Sequence, residues 1–156
     1  MNTFFPFIFN LADKRLLFVG GGSVAERKIL LLAGKAKEIV VIAPAISEKL
    51  FEMTKEKVIT CRNKFFEVAD IDNSFDFVFA CADDTAVNKS VIDVCKKTGV
   101  FVSAVDAVNR DCGDFFMPAT IIEDKYLIAI SSFGMSPEAA KKLKCRIKEV
   151  LTKDNI

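Results

Sequence analysis

Residues 16–28 constrain this chain more than any other stretch. Leu16-Leu17-Phe18-Val19 is apolar without a break, and it runs straight into Gly20-Gly21-Gly22-Ser23-Val24-Ala25. An uninterrupted apolar run of this length reads as a strand covered on both faces, as in a parallel sheet flanked by helices. A helix-like stretch, Ser23–Ala33, follows. The junction has the pattern G-x-G-x-x-A between a strand and a helix. Gly20 allows the tight turn, Gly22 lets the backbone approach an anion with no Cβ in the way, and Ala25 lets the helix pack closely on the strand. The helix N-terminus offers free N–H groups and a partial positive charge. The pyrophosphate of a dinucleotide fits this turn, so Gly20, Gly21, Gly22, Ser23, Val24 and Ala25 are the expected cofactor contacts. The plain alternative is a strand–turn–helix with no ligand.

The same rhythm continues along the chain. Further strands are expected at Glu38–Ala43, Val58–Cys61, Phe75–Cys81, Val100–Val105 and Tyr126–Ser131, after a first one at Arg15–Val19. Helices are expected at Ser47–Lys55, Ala86–Thr98 and Ser136–Leu151. Strands alternating with helices of this length imply right-handed βαβ units. The rhythm ends in the polar stretch Asn109–Asp114. Beyond it come strand, turn at Glu123-Asp124-Lys125, strand and one long helix, opened by Ser136-Pro137-Glu138 as cap, first-turn proline and acid. The expected fold class is α/β: a Rossmann-type parallel sheet over residues 1–113, with a small α+β dimerisation segment over 114–156. A hairpin and one helix bury little surface alone. Phe115, Phe116, Ile121, Ile122, Leu127 and Ile128 need cover, which suggests a homodimer. Phe4 to Leu11 reads as an apolar segment packed on the fold.

Composition narrows the function classes. Net charge is +1, which gives no broad electrostatic case for nucleic acid. No apolar run reaches the ~18 residues of a membrane span. The N-terminus lacks the basic region and cleavage site of a signal peptide. Five cysteines are scattered with no C-x-x-C pair, which fits free thiols in a reducing cytoplasm better than a disulfide frame or a metal site. There is no histidine. The usual general base near neutral pH and the commonest metal ligand are therefore missing, and acid–base work falls to Asp, Glu, Lys, Tyr or Cys.

In an open α/β sheet the ligand lies beyond the carboxyl ends of the strands. Ala43 and Pro44 stand where an acid about 20 residues after the glycines usually takes the ribose hydroxyls of NAD. The missing acid bears on cofactor preference and leaves the phosphate site intact. Asp83-Asp84-Thr85 and Asn88 follow the strand FDFVFAC and would face the cofactor, although Asp84 or Thr85 also reads as a helix cap. Asp106 ends VFVSAVD at the next carboxyl edge. In a chain without histidine it is the best candidate base, against the alternative of a solvated loop aspartate. Arg110 could bind an anionic substrate. Ser131–Pro137 is either an anion nest or a capped loop.

Taken in order, GGGSVAERK, CADDTAVN, VDA, CGDFFMPA and ISSFGMSP resemble the precorrin-2 dehydrogenase family, which includes the N-terminal part of siroheme synthases. The resemblance covers nearly the whole chain. It implies NAD-dependent oxidation of precorrin-2 to sirohydrochlorin in a homodimer, and in some members insertion of Fe²⁺ as a second reaction. By position it implies that Asp106 is the catalytic aspartate. It places Gly20, Gly22 and Ala25 in the cofactor turn, Asp83, Thr85 and Asn88 on its lower rim, and Ser132 in the substrate-side loop. Precorrin-2 is a polycarboxylate, so Arg27, Lys28, Arg110 and Lys141 are candidate partners for it. Two positions depart from the family pattern. Ser103 stands where Asn is common, and Phe133 where a glycine is frequent. The chain stops at Ile156, so no methyltransferase region is expected. The rival reading is a non-catalytic dinucleotide sensor, which would need neither Asp106 nor the SSxGxSP segment. A second rival is a chelatase without redox chemistry, which would need no NAD.

Overall fold

The computed structural model describes residues 4–106 and 108–153, apart from the side chains of Arg110 and Lys153. Its elements are β1 (Arg15–Val19), α1 (Ser23–Leu32), β2 (Glu38–Ile42), α2 (Glu48–Lys55), β3 (Thr60–Arg62), β4 (Phe77–Ala80), α3 (Thr85–Thr98), β5 (Phe101–Ala104), β6 (Ala119–Ile122), β7 (Leu127–Ile130) and α4 (Pro137–Lys153). Two 3₁₀ turns, Val68–Asp70 and Arg110–Cys112, join them. The chain divides into two compact units, residues 5–115 and residues from Phe116 onward together with Phe4.

In the first unit five parallel strands lie in the order β3-β2-β1-β4-β5. β1 is central, so Leu16 to Val19 are almost wholly buried, as an unalternated apolar run requires. Side chains alternate across the sheet. Leu17, Val19, Val40, Ile42, Val78, Ala80, Val102 and Ala104 share one core with Val91, Ile92 and Cys95 of α3. On the opposite face the Phe18 and Phe79 rings stack at 4.3 Å between centroids. The Lys28 ammonium of α1 lies over Phe79. Strand order reverses between β1 and β4, and the carboxyl ends of these strands form the crevice where such sheets bind ligands.

Several expected bounds shift for local reasons. The third strand begins at Thr60 and not at Val58, because Val58 N–H still bonds Met53 O and Lys57 adopts φ +58°, finishing the turn after α2. The fourth begins at Phe77 because the Asp76 carboxylate is used to hold the Lys14 ammonium and Arg15 N–H. The N-terminal segment is not packed as expected. Phe5, Phe7 and Ile8 are about three-quarters exposed or more, at 76%, 74% and 80%. This coil has no strand partner, and its ring contact with the sheet is Phe9 edge-on to Phe77.

The free edge of β5 is closed by one residue. Asp114 N–H donates to Val102 O at 2.7 Å, and Asp114 Oδ2 accepts from Val102 N–H at 2.9 Å. A single residue thus does the work of a sixth strand at that point. In the second unit β6 and β7 pair antiparallel, Glu123 N–H bonds Tyr126 O across the turn, and α4 lies against the hairpin over Ile121 and Ala140. Ile122, Leu127, Leu143 and Val150 stay exposed. Asp114→Ala should cost about 1–2 kcal/mol by leaving Val102 N–H unpaired. Urea denaturation measures this, and an unchanged midpoint would mean that water closes the edge equally well.

Candidate functional site

The glycine turn is shaped by contacts that only glycine tolerates. Gly20 has φ +112°, and a Cβ there would sit 2.3 Å from Cys81 O and 2.7 Å from Ala82 N. Gly20 N–H donates to Ile42 O and Cys81 N–H to Val19 O, so the turn is pinned to the ends of β2 and β4 together. At Gly21 a Cβ would meet Ala45 O at 2.8 Å and the Ile46 side chain at 2.6 Å. Gly21 O accepts from Ser47 N–H. Gly22 is different: a Cβ there would meet nothing within 4 Å. It occupies the N-cap of α1 and makes no side-chain cap bond. The helix end is therefore bare, exposed and positive, with Ser23 and Val24 exposed in its first turn and Ala25 fully buried against the sheet. Glu26 is the acid of that first turn, and the free N–H groups above Gly22 offer donors that the pyrophosphate of a dinucleotide would fit.

At the end of β2, Ala43 is buried and Pro44 exposed, and neither offers an acceptor side chain for a ribose hydroxyl. Ser47 next to them caps α2, its hydroxyl accepting from Leu50 N–H at 3.3 Å. Across the crevice Asp84 caps α3 by accepting from Ala86 N–H at 2.8 Å, the capping alternative drawn from the sequence. Asp83 and Thr85 are exposed at the same edge.

Asn88 does not face solvent at that rim. It is fully buried, and its amide is engaged on both sides. Oδ1 accepts from Ala82 N–H at 2.9 Å, while Nδ2 donates to Ala82 O at 2.8 Å and to Asp106 Oδ2 at 2.8 Å. Asp106 is held from the other side by Asn109. The Asn109 N–H donates to Oδ1 at 2.8 Å, and its amide Nδ2 reaches both carboxylate oxygens and Thr85 O. These bonds hold the carboxylate of this half-buried loop aspartate in place. Burial pushes the Asp106 carboxyl upward. The donors from Asn109, backbone and side chain, then Asn88 and the Val108 N–H outweigh it, and the group lies below the usual carboxylate range. Asp106 is a fixed negative charge more than a base tuned to neutral pH. Asn109 was missed from the sequence, although an Asn three residues after an Asp is a recognisable loop-bonding pair.

Arg27 is exposed and bonds Ser23 O. Lys28 lies partly buried, and desolvation lowers its ammonium from the usual lysine range. Below the turn, burial pushes the Cys81 thiol up to about 12. The Arg110 side chain lies outside the described residues, and its backbone opens the second 3₁₀ turn. In the second unit Ser132 Oγ accepts from Ser136 N–H and Ser136 Oγ from Ala139 N–H, so the loop is a capped one. Lys141 is exposed on α4. Phe133 adopts φ +54°, the conformation a glycine would take without strain. Among the described residues no cluster of three or more Cys, Asp or Glu is placed to hold a metal ion.

A parallel sheet with this order and this turn at its switch point defines a Rossmann-type dinucleotide-binding protein. The chain belongs to the NAD(P)-binding family NAD_binding_7, whose model matches residues 7–119. It is similar to the siroheme synthase of Nitrosococcus oceani, 33% identical over 148 residues, and to that of Methylococcus capsulatus, 36% identical over 145 residues. These matches cover 95% and 93% of this chain but 31% and 30% of the relatives, so the chain spans about a third of their length. Among solved structures it is similar to SirC, a precorrin-2 dehydrogenase, with a TM-score of 0.78 and 25% identity, covering 96% of this chain and 71% of that one.

Gly22→Ser separates the fold from the ligand. Serine is a good N-cap and has open space here, so the melting temperature should hold or rise. NAD⁺ affinity, read by calorimetry, should fall about tenfold or more as Oγ occupies the anion seat. Unchanged affinity would put the pyrophosphate elsewhere. Thiol titration gives a second check. Cys81 and Cys95, both pushed up to about 12, should stay unreactive at pH 8 until the chain is unfolded, while exposed Cys112 reacts at once.

Proposed function

We propose that this chain is an NAD⁺-dependent precorrin-2 dehydrogenase that forms sirohydrochlorin. The observation that carries this reading is Asp106, fixed at the carboxyl edge of the sheet by the same network that touches the glycine turn. A sensor has no need of a carboxylate held in this way. The likeness to SirC and to siroheme synthases supplies the substrate class.

Bound NAD⁺ would supply the hydride acceptor. In the proposed site the α1 N-terminus at Gly22, Ser23 and Val24 would hold the pyrophosphate, with Ala43 and Pro44 toward the adenosine end. Asp83 and Thr85 line the rim. A C–H bond of the macrocycle breaks with both electrons leaving as hydride, and a positive charge develops on the ring system. Asp106 stabilises that charge because it is already ionised, and it accepts the proton lost as the new double bond forms. Asn88 and Asn109 keep the carboxylate in place. For the substrate's carboxylates we propose Arg110 in the first unit and, separately, Ser132 and Lys141 in the second. The Ser132 bond to Ser136 N–H leaves the hydroxyl proton to donate. Fe²⁺ insertion into the product is a separate proposed reaction with iron as substrate.

Dimerisation through the second unit is proposed from its exposed Ile122, Leu127, Leu143 and Val150. The free thiols fit a cytoplasmic setting. No helix among the described residues is long and apolar enough to cross a membrane.

Anaerobic mixing of the protein with precorrin-2 and NAD⁺ should produce the sirohydrochlorin spectrum and NADH in equal amounts. Asp106→Ala should slow this by about 100-fold or more with NAD⁺ binding retained. Lys141→Glu should raise KM for precorrin-2 and leave kcat largely alone. A folded wild type that binds NAD⁺ and gives no product would sink the dehydrogenase reading in favour of a sensor.

A further inference from the structure

The buried amide of Asn88 joins two parts of the site that the sequence treats separately. Its Oδ1 and Nδ2 clasp the Ala82 peptide from both sides, and Nδ2 also donates to Asp106 Oδ2. Ala82 N is the atom that a Cβ on Gly20 would approach to 2.7 Å. The floor of the glycine turn, the end of β4 and the carboxylate therefore form one continuous set of contacts. No polar atom of Asn88 is left over for a ligand, and the residue is 0% exposed. A side chain recruited only to cap or pack would not need a carboxylate as its third partner. Leaving a buried amide half-paired is costly, so Asn88 strongly favours one Asp106 rotamer.

We infer that Asn88 is a positioning residue: it fixes the Asp106 carboxylate relative to the dinucleotide turn, with Asn109 bracing the opposite side. Its effect on turnover rests on the dehydrogenase reading above, whereas its effect on the carboxylate does not. Among the described residues the groups bonded to Asp106 are neutral: the Asn88 amide from α3, and Asn109 and Val108 from its own loop. The charged residues flanking these positions are Asp83 and Asp84 ahead of α3, the latter engaged with Ala86 N–H, and Arg110 and Asp111 after Asn109.

A double-mutant cycle tests the inference, because a residue that acts through another loses its effect once that other is gone. Asn88→Ala should lower kcat about tenfold or more with Asp106 present, and about twofold or less in an Asp106→Ala background. NAD⁺ affinity should move less than about threefold, since the turn keeps its own bonds to β2 and β4. Equal losses in both backgrounds would overturn the inference and assign Asn88 a structural role only. Should Asn88→Ala fail to fold, Asn88→Leu fills the same buried volume and removes the donors to Ala82 O and Asp106 without adding charge. The second readout needs no substrate. A ¹³C carboxylate titration of folded protein should show Asp106 below the ordinary aspartate range in wild type and shifted upward in either variant. An unmoved titration would contradict the inference even if the enzyme turns over. Absence of wild-type turnover would sink the dehydrogenase reading alone, and the titration would still decide this one.

Discussion

The approach of Gly20 to the Cys81–Ala82 peptide is the contact on which the site depends. It leaves no room for a side chain, and it brings the end of β1 against the end of β4 where strand order reverses. Three consequences follow. The chain must turn with φ +112°, so that Gly22 emerges at the head of α1 with open space above it. The Ala82 peptide is held where Asn88 can clasp it. The carboxylate that Asn88 holds is then tied to the glycine turn through one run of contacts. A bulkier residue at 20 would disturb all three, whereas one at 22 would block the anion alone.

The electrostatic consequence is a division of labour. The bare α1 N-terminus offers positive potential to phosphates, and Asp106 offers fixed negative charge a short way along the same edge. Enzymes that lack histidine often tune a carboxylate upward to make a base, but hydrogen bonds here drive Asp106 the other way. The sign matters for stability as well as for chemistry. A carboxyl depressed in the folded state adds stability above its unfolded value, and that stability is lost as pH falls through the folded value. Such a group suits stabilisation of a positive charge that develops during hydride loss.

Much of this could be read from the chain. The apolar runs from Leu16 and from Ile39 are long enough, and the glycine pattern specific enough, to give a parallel sheet and its glycine turn from local physics. The unalternated FDFVFAC likewise gave β4. Asn88 was found by position, whereas its burial and the direction of its amide depend on α3 turning its inner face to the sheet. The tie of Asn109 to Asp106 is local and readable, whereas its bond to Thr85 O and that of Asp114 to Val102 reach partners the sequence does not place beside them. The N-terminal phenylalanines mislead for the opposite reason. Composition called for burial, and this coil has no ladder to bring it to the sheet.

A crystal structure with NAD⁺ bound tests the account most directly. The pyrophosphate should accept hydrogen bonds from the Ser23 and Val24 N–H groups above Gly22. The nicotinamide should extend past Ala82 toward Asp106, with the adenosine over Ala43 and Pro44. A pyrophosphate seated away from α1, or a nicotinamide at the β2 edge with Asp106 beyond its reach, would contradict it.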